Sequence, residues 1–478
     1  MAHASVSAHR LVALLEGYSL TRPAYRSLAS AIQNVLVDGR LTHQTRLPSE
    51  RELSLALGIS RTTVTRAYGE LVESGWATAR RGSGTTLRLR GRESVGSRHL
   101  VARDEEDGVI NLMIAAPPAP AGTMEVIERA TAQLPGRLSG HGYRMSGEPM
   151  LREEIAAYFE HRGLATDPDQ IIVTPGALAA TAIVVRALIG TGDRAVMETP
   201  TYPNSVETLA AGGARVVGMP VGADGWDADA FEAVIRQTAP RFALLIPDFQ
   251  NPTGALMDEA TRHRFGTVLG RTRTIGVADE TMVDLALDAV DVPAPFAAFN
   301  ADVITVGSAS KAFWGGFRIG WLRVPTDLRE QMLQARTSLD LGCSMVDQLV
   351  GCELFANRDA LVGERRRALR ASRDALVEAL RTHLPDWEFR TPHGGVTLWV
   401  RMPEPVSSAV VLAAERHGLM LASGGQFGVD QDLRNYLRLP YTAPADVLRE
   451  GVARLALAYR EATADPDRVR ERAASFIA

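Results

Sequence analysis

Apolar and polar positions change their period along the chain, and the changes divide it. Through residues 47–71 apolar side chains recur at helical spacing. Leu53 and Leu57 share one face of a first segment, and Val64, Ala67, Tyr68 and Leu71 fall at i, i+3, i+4 and i+7 of a second. Ser49 is placed as an N-cap with Glu52 three positions on, the pairing of a capping box; Gly58 suits the stop, and Ser60 caps the next helix. Two short helices about a tight, glycine-bearing turn predict a helix-turn-helix whose second helix enters a major groove N-terminus first. That helix carries Arg61, Thr62, Thr63, Thr65 and Arg66 on its first turn and outer face. The segment from Ala77 to Thr85, with Arg80, Arg81, Gly82, Ser83 and Gly84 at its tip, predicts a basic wing hairpin that can lie close to phosphates. Residues 91–107 mix Gly, Ser and both charges without apolar periodicity, as a linker does. Beyond 108 the pattern changes again. Short β-branched runs (171–173, 195–197, 215–217, 243–246, 275–277, 303–306) alternate with helical patterns, which predicts an α/β domain around a mostly parallel sheet. The expected organisation is a DNA-binding head at 20–90, a linker at 91–107, a body at 108–462 and a tail at 463–478, with a smaller C-terminal α+β part of the body at about 345–462.

Charge sharpens this division. Residues 1–92 hold 13 Arg and 6 Asp or Glu, a net of +7, while the remainder carries −11. A basic head on an acidic body points the head at a polyanion. A composition 46% apolar and 23% charged is ordinary for a globular chain. No apolar run approaches the roughly 20 residues that span a bilayer, and Met1–Leu20 lacks the pattern of a signal peptide. No membrane partner is therefore expected, and the expected location is the bacterial cytoplasm, at the nucleoid when DNA is bound. The two cysteines, Cys343 and Cys352, have neither redox nor zinc spacing and read as buried thiols; no metal is expected.

Lysine usage matters most. Of 52 basic residues, 51 are Arg and one is Lys, at position 311. Arg replaces Lys on solvated surfaces but not where a nucleophilic amine is needed, because guanidinium stays protonated. Lys311 follows the strand-like run ending Val306-Gly307-Ser308, with Ser310 beside it and Arg318 a few positions on. A lysine in a strand-end loop is desolvated and loses its proton more readily, and the hydroxyls and Arg318 can donate to a phosphate. A Schiff base to pyridoxal 5'-phosphate requires those features. Asp279, ending Thr274–Asp279, can keep a pyridine nitrogen protonated, although an Asp at a strand end also serves as a turn or cap residue. Asn251, in the turn-forming Asn-Pro-Thr-Gly, can bond a ring oxygen. Gly176 and Ala177 open a helix with free N–H groups for a phosphate. Tyr202 can stack on a ring or simply pack against its prolines, and Arg438 can clamp a carboxylate.

Taken as ordered sets, these motifs carry two resemblances. The stretch from Tyr25 to Thr85, with LPSERELS, GISRTTV and RRGSGT, resembles the GntR family of winged-helix regulators. That likeness implies that Ser49, Arg51, Ser60, Arg61, Thr62, Thr63, Arg66, Arg81 and Gly82 face double-stranded DNA. The series TPGA, TPTYP, NPTG, AD, S-x-SK, R-x-G and LRLP resembles fold-type I aminotransferases across residues 108–462, and the combination resembles the MocR subfamily. By this likeness Lys311 is the Schiff-base lysine, Asp279 the ring-nitrogen partner and Asn251 the ring-oxygen partner. Ser308, Ser310 and Arg318 hold the phosphate with Gly176 and Ala177, Tyr202 stacks, and Arg438 takes an effector carboxylate. Tyr143 reaches the phosphate of a second subunit in a head-to-tail homodimer. One departure stands out: the family's usual Tyr two or three residues after the Asp is replaced by Thr281 and Met282, which sets efficient transamination in question. Three readings follow: a regulator that senses an amine, an amino acid or the cofactor; an aminotransferase with a DNA-binding head; and a repressor with an inert body. The head and the missing Tyr favour the first, and the lone lysine opposes the third.

Overall fold

The computed structural model describes residues 5–16, 18, 23–80, 84–88, 108–222, 224–429 and 431–464. The wing-tip residues Arg81 and Gly82, the linker 91–107 and most of the tail lie outside these.

In the head, α1 (Ala8–Leu15), α2 (Ala24–Val37), α3 (Glu50–Leu57) and α4 (Arg61–Glu73) are followed by the antiparallel hairpin β1 (Ala77–Arg80) and β2 (Gly84–Leu87). The helix ends are specified locally. The Ser49 hydroxyl accepts from Glu52 N while the Glu52 carboxylate accepts from Ser49 N, satisfying two of the N–H groups a helix start leaves open. Gly58 ends α3 with φ +65°, a left-handed conformation that suits glycine. Ser60 then caps α4 through Thr63 N. Leu53, Val64, Ala67, Tyr68 and Leu71 close on α2 to form the head's core. α1 precedes the expected start of the head at residue 20, yet Leu11, Leu14 and Leu15 are buried in that same core.

The body's large sheet has eight strands: β4 (Ile171–Thr174), β5 (Arg194–Thr199), β6 (Arg215–Gly222), β7 (Gly225–Trp226), β8 (Phe242–Leu245), β9 (Ile275–Asp279), β10 (Ile304–Ser308) and β11 (Gly320–Arg323). A short β3 (Ile110–Asn111) precedes them. Their order is β4-β11-β10-β9-β8-β5-β6-β7. The centre, from β10 to β6, is parallel; β4, β11 and β7 are antiparallel to their neighbours. All six runs singled out by composition are strands of this sheet. Its central strands are buried on both faces, as layers of helix on either side require. The C-terminal part adds β12 (Glu388–Phe389), β13 (Thr397–Arg401), β14 (Leu419–Met420), β15 (Ala422–Ser423) and β16 (Tyr436–Pro440). Four of these make an antiparallel sheet, β12-β13-β16-β15, and β14 pairs in parallel with β3. The fold is therefore a winged helix joined to a mixed, mainly parallel α/β body with a small antiparallel C-terminal sheet. No helix among the described residues is long and apolar enough to cross a membrane.

Candidate functional site

The parallel strands deliver chemistry at their carboxyl ends, where the backbone leaves the sheet and side chains gather. β9 ends at Asp279, which lies in register with Val306 of the neighbouring β10. β10 ends at Ser308, and Lys311 follows within the short helix Ala309–Ala312. The Ser308 hydroxyl accepts from Ser310 N (3.1 Å) and reaches Ser310 Oγ (3.0 Å) and Ile319 O (3.2 Å). Lys311 Nζ donates to Ala115 O at 2.7 Å. Although the side chain keeps some solvent contact, the atoms crowded around its amine, with Arg438 and Arg318 adding like charge, push its pKa down to about 8 against the pull of Asp279. The amine is thereby moved toward its nucleophilic form.

Burial pushes the Asp279 carboxyl above the usual range, although Thr281 N (3.1 Å) and the Thr281 hydroxyl bond it and Lys311 stands near. The loop after β8 holds Asn251, 7% exposed, whose Oδ1 is buried without a partner. Tyr202 stands at the start of the helix Pro203–Ala211 and accepts from Asn204 Nδ2 at 2.9 Å; burial raises its pKa, with Arg438, Asp279 and Arg318 all in electrostatic range. Gly176 caps the helix Ala177–Leu188 at φ +99°, and a Cβ there would stand 2.6 Å from Arg318 Nη2. A glycine is thus what lets the exposed Arg318 cross the helix N-terminus, where it donates to Pro175 O and Gly315 O.

Arg438 enters from β16. It is fully buried, lies over the Phe427 ring at 5.1 Å, donates to Met113 O and leaves Nε without a partner. Burial pushes its pKa down to about 10, so an anion here would gain a desolvated guanidinium. Two features had no signal in the sequence. The segment after β3 offers the carbonyls of Met113 and Ala115 to Arg438 and Lys311. Glu198, buried in β5, accepts from Trp226 Nε1, Ile246 N and Gln250 Nε2, and burial raises its carboxyl to about 7.

On the head, Arg51, Arg61, Thr62 and Arg66 are exposed, as is the cap Ser49. Ser60 and Thr63 share a 2.8 Å hydroxyl bond at the start of α4. Arg61 also pairs with Glu50 at 3.4 Å, and Arg66 lies over the Tyr25 ring at 4.2 Å.

The description of aminotransferase class I and II matches residues 107–455, and that of the bacterial regulatory proteins of the gntR family matches residues 24–87. The chain belongs to the aminotransferase class I and II family. It is a gntR head fused to that body, the arrangement typical of MocR-type transcriptional regulators. It is 25% identical over 471 residues to the uncharacterized HTH-type transcriptional regulator YdfD of Bacillus subtilis, covering 92% of this chain and 97% of that one. It is 29% identical over 392 residues to the probable rhizopine catabolism regulatory protein MocR of Rhizobium meliloti, covering 76% and 78% of the two chains. Among solved structures, LysN, the α-aminoadipate aminotransferase of Thermus thermophilus, matches 75% of this chain and 94% of its own with a TM-score of 0.69 at 26% identity.

In this MocR-type chain Arg438, Asp279 and Arg318 stand within electrostatic range of both Lys311 and Tyr202, at the carboxyl ends of the strands. Ser308, Ser310, Gly176 and Ala177 border the same ends, and Asn251 leads out of the adjacent strand. Tyr143 does not join them within one chain: it is 61% exposed on the surface beside His141. The aminotransferase fold typically binds pyridoxal phosphate, and the residues present fit that group. The Asn251 amide oxygen and Arg438 Nε are buried without a partner, and Gly176 opens the helix N-terminus beside Arg318.

Proposed function

We propose that this chain is a pyridoxal-phosphate-dependent DNA-binding regulator that binds the cofactor at Lys311 and senses an amine, an amino acid or the cofactor itself. The observation that carries the reading is the position of the sole lysine: the one nucleophilic amine lies half-buried and depressed to about 8 at the strand-end edge of an aminotransferase body. Bound there, pyridoxal phosphate supplies an aldehyde for an amine and an electron-withdrawing ring. Asp279 would accept the ring N–H, and Asn251 would direct its amide N–H to the ring oxygen. The hydroxyls of Ser308 and Ser310, the N–H groups that open Ala177–Leu188 and the Arg318 guanidinium hold the phosphate. Tyr202 packs against the ring, and Arg438 orients a ligand carboxylate by its fork.

The head then grips DNA through Arg61 on α4 and Arg51 on α3, on phosphate or base edges. Tyr143 and the exposed Leu138, Leu339 and Leu341 support a second copy covering this face; a Cβ on Gly342 would stand 2.6 Å from Arg144 O, so the loops that carry them meet. A head-to-tail dimer would bring Tyr143 to the partner's phosphate site.

The presence of Lys311, Asp279 and Arg438 together favours a second reading, a working aminotransferase. Against it, Thr281 spends its backbone N–H and hydroxyl on Asp279, and Met282 is packed into the core, so neither donates a phenol to the ring oxygen. The test incubates cofactor-loaded protein with a panel of amino acids and primary amines. The sensor reading expects spectral change and altered DNA affinity without a keto acid beyond one per site. Sustained keto acid production supports the enzyme instead.

A further inference from the structure

The head does not rest loosely on the body. Asp38, at the C-terminal end of α2, is fully buried where no element of the head encloses it alone. Its Oδ1 accepts from Ser408 Oγ (2.5 Å) and Ser423 Oγ (3.0 Å), both on the body, and its Oδ2 accepts from Tyr18 OH (3.2 Å) on the head. Beside it Gln426 Nε2 donates to Val37 O at 3.3 Å, and Val37 itself belongs to the body's apolar core. Gly425 makes the approach possible: the three atoms nearest to a Cβ built there all belong to Asp38, at 2.7–2.9 Å. Arg434 completes the contact from the body, lying over the Tyr18 ring at 4.3 Å while paired with Asp432.

Part of the body surface that holds Asp38, from Ser423 to Gln426, continues into the residues that frame Arg438. Ser423 sits on β15, whose Ala422 lies opposite Arg438 of β16. The turn that follows, Gly424–Phe427, meets the head with Gly425 and Gln426 and then places Phe427 beneath the Arg438 guanidinium. Phe427 O accepts from Thr201 N, and Val429 N donates to Thr199 Oγ1, tying the turn's far end to the loop of Tyr202. One short stretch thus has the ligand edge on one side and the head on the other.

We infer that the Asp38–Ser408–Ser423 contact is a docking lock through which occupation of Arg438 is read by the DNA-binding head. The inference rests on Arg438 being the carboxylate site proposed above. A carboxylate at Arg438 competes with Met113 O and shifts the guanidinium over Phe427. The turn that carries Phe427 also carries Gly425 and Gln426, so the lock feels the shift. By linkage, the position of the head alters the site's affinity to the same extent. The lock works equally if a head docks on its own body or on a second chain's body.

The experiment measures thiol labelling of full-length Ser408→Cys, whose side chain is covered by Asp38, with the unaltered chain as background for the two native, buried thiols. Adding Gly425→Ala, which drives a methyl into Asp38, should speed labelling on the order of tenfold. Asp38→Ala should do the same from the head's side. Arg438→Gln should change the rate about fivefold or more in either direction. Tyr441→Phe, which removes a buried bond to Gly394 O just past the end of the same strand, should not. Unchanged labelling in both Gly425→Ala and Asp38→Ala means there is no dock in solution. A response to those two but none to Arg438→Gln, or an equal response to Tyr441→Phe, leaves a static contact and overturns the inference. No cofactor is added, so failure here is separate from failure of Lys311 to bind pyridoxal phosphate.

Discussion

Burial around Lys311 Nζ, with Arg438 and Arg318 adding like charge, pushes its pKa from 10.5 down to about 8. Only the neutral amine attacks a carbonyl. The rate at which the protein takes up pyridoxal phosphate is therefore expected to rise with pH through a midpoint of about 8, followed by stopped-flow absorbance. A midpoint near that of a solvated lysine would show that the amine is not desolvated. Glu198 gives a second residue-level prediction with the opposite sense. Its carboxyl is raised from 4.5 to about 7, so between those values the folded chain holds a proton that the unfolded chain has released. Its stabilising contribution is complete below 4.5 and is lost as pH rises through about 7. Thermal melts of Glu198→Gln should lack that component, giving a flatter stability profile across the interval. A profile parallel to that of the unaltered chain would show that Glu198 titrates normally. The departure at Thr281 and Met282 was legible from the sequence, because it is a substitution within a local motif. The structure adds where those side chains go: onto Asp279 and into the core.

The head's helices are specified by short-range chemistry, which is why α3 and α4 could be read directly from caps, a glycine stop and apolar period. Ser49→Ala removes the acceptor for Glu52 N and should cost about 1 kcal/mol of head stability, measured by denaturant melts of the full chain. Across a salt titration on duplex DNA, Arg51→Ala and Arg61→Ala should each weaken binding and reduce the slope of log affinity against log salt by about 1. Arg66→Ala should do less, because its guanidinium is already laid over Tyr25. Slopes unchanged from that of the unaltered chain in Arg51→Ala and Arg61→Ala would remove these two from the phosphate contacts. The strands were legible for a similar reason: buried parallel strands are continuous β-branched runs. α1 was not, since its three buried leucines sit ahead of the recognisable motif and only the packed head reveals their partners.

At the scale of the whole molecule, the contacts that join site to frame span long stretches of chain. Lys311 meets Ala115 across 196 residues, Arg438 meets Met113 across 325, and Ser408 meets Asp38 across 370. No local period encodes such pairs, so the covering segment after β3 and the seating of the head emerged only from the fold. The resemblance to known families located the strand-end residues, but it named no residue of the head–body contact. The apolar face around Leu339 and Leu341 carries its own prediction. Leu341→Glu should convert a dimer to a monomer in light scattering and weaken cofactor retention, if Tyr143 serves the partner's site. A monomeric wild-type chain would remove the second copy from the site.

The most direct measurement is the visible absorption spectrum of the purified protein with pyridoxal phosphate, alongside Lys311→Ala. A band at about 420 nm in the wild type that is absent from the variant, and that shifts when an amino acid or amine is added, is the expected result. A wild-type spectrum no different from that of the variant would contradict cofactor binding at Lys311 and leave the body without its proposed sensor.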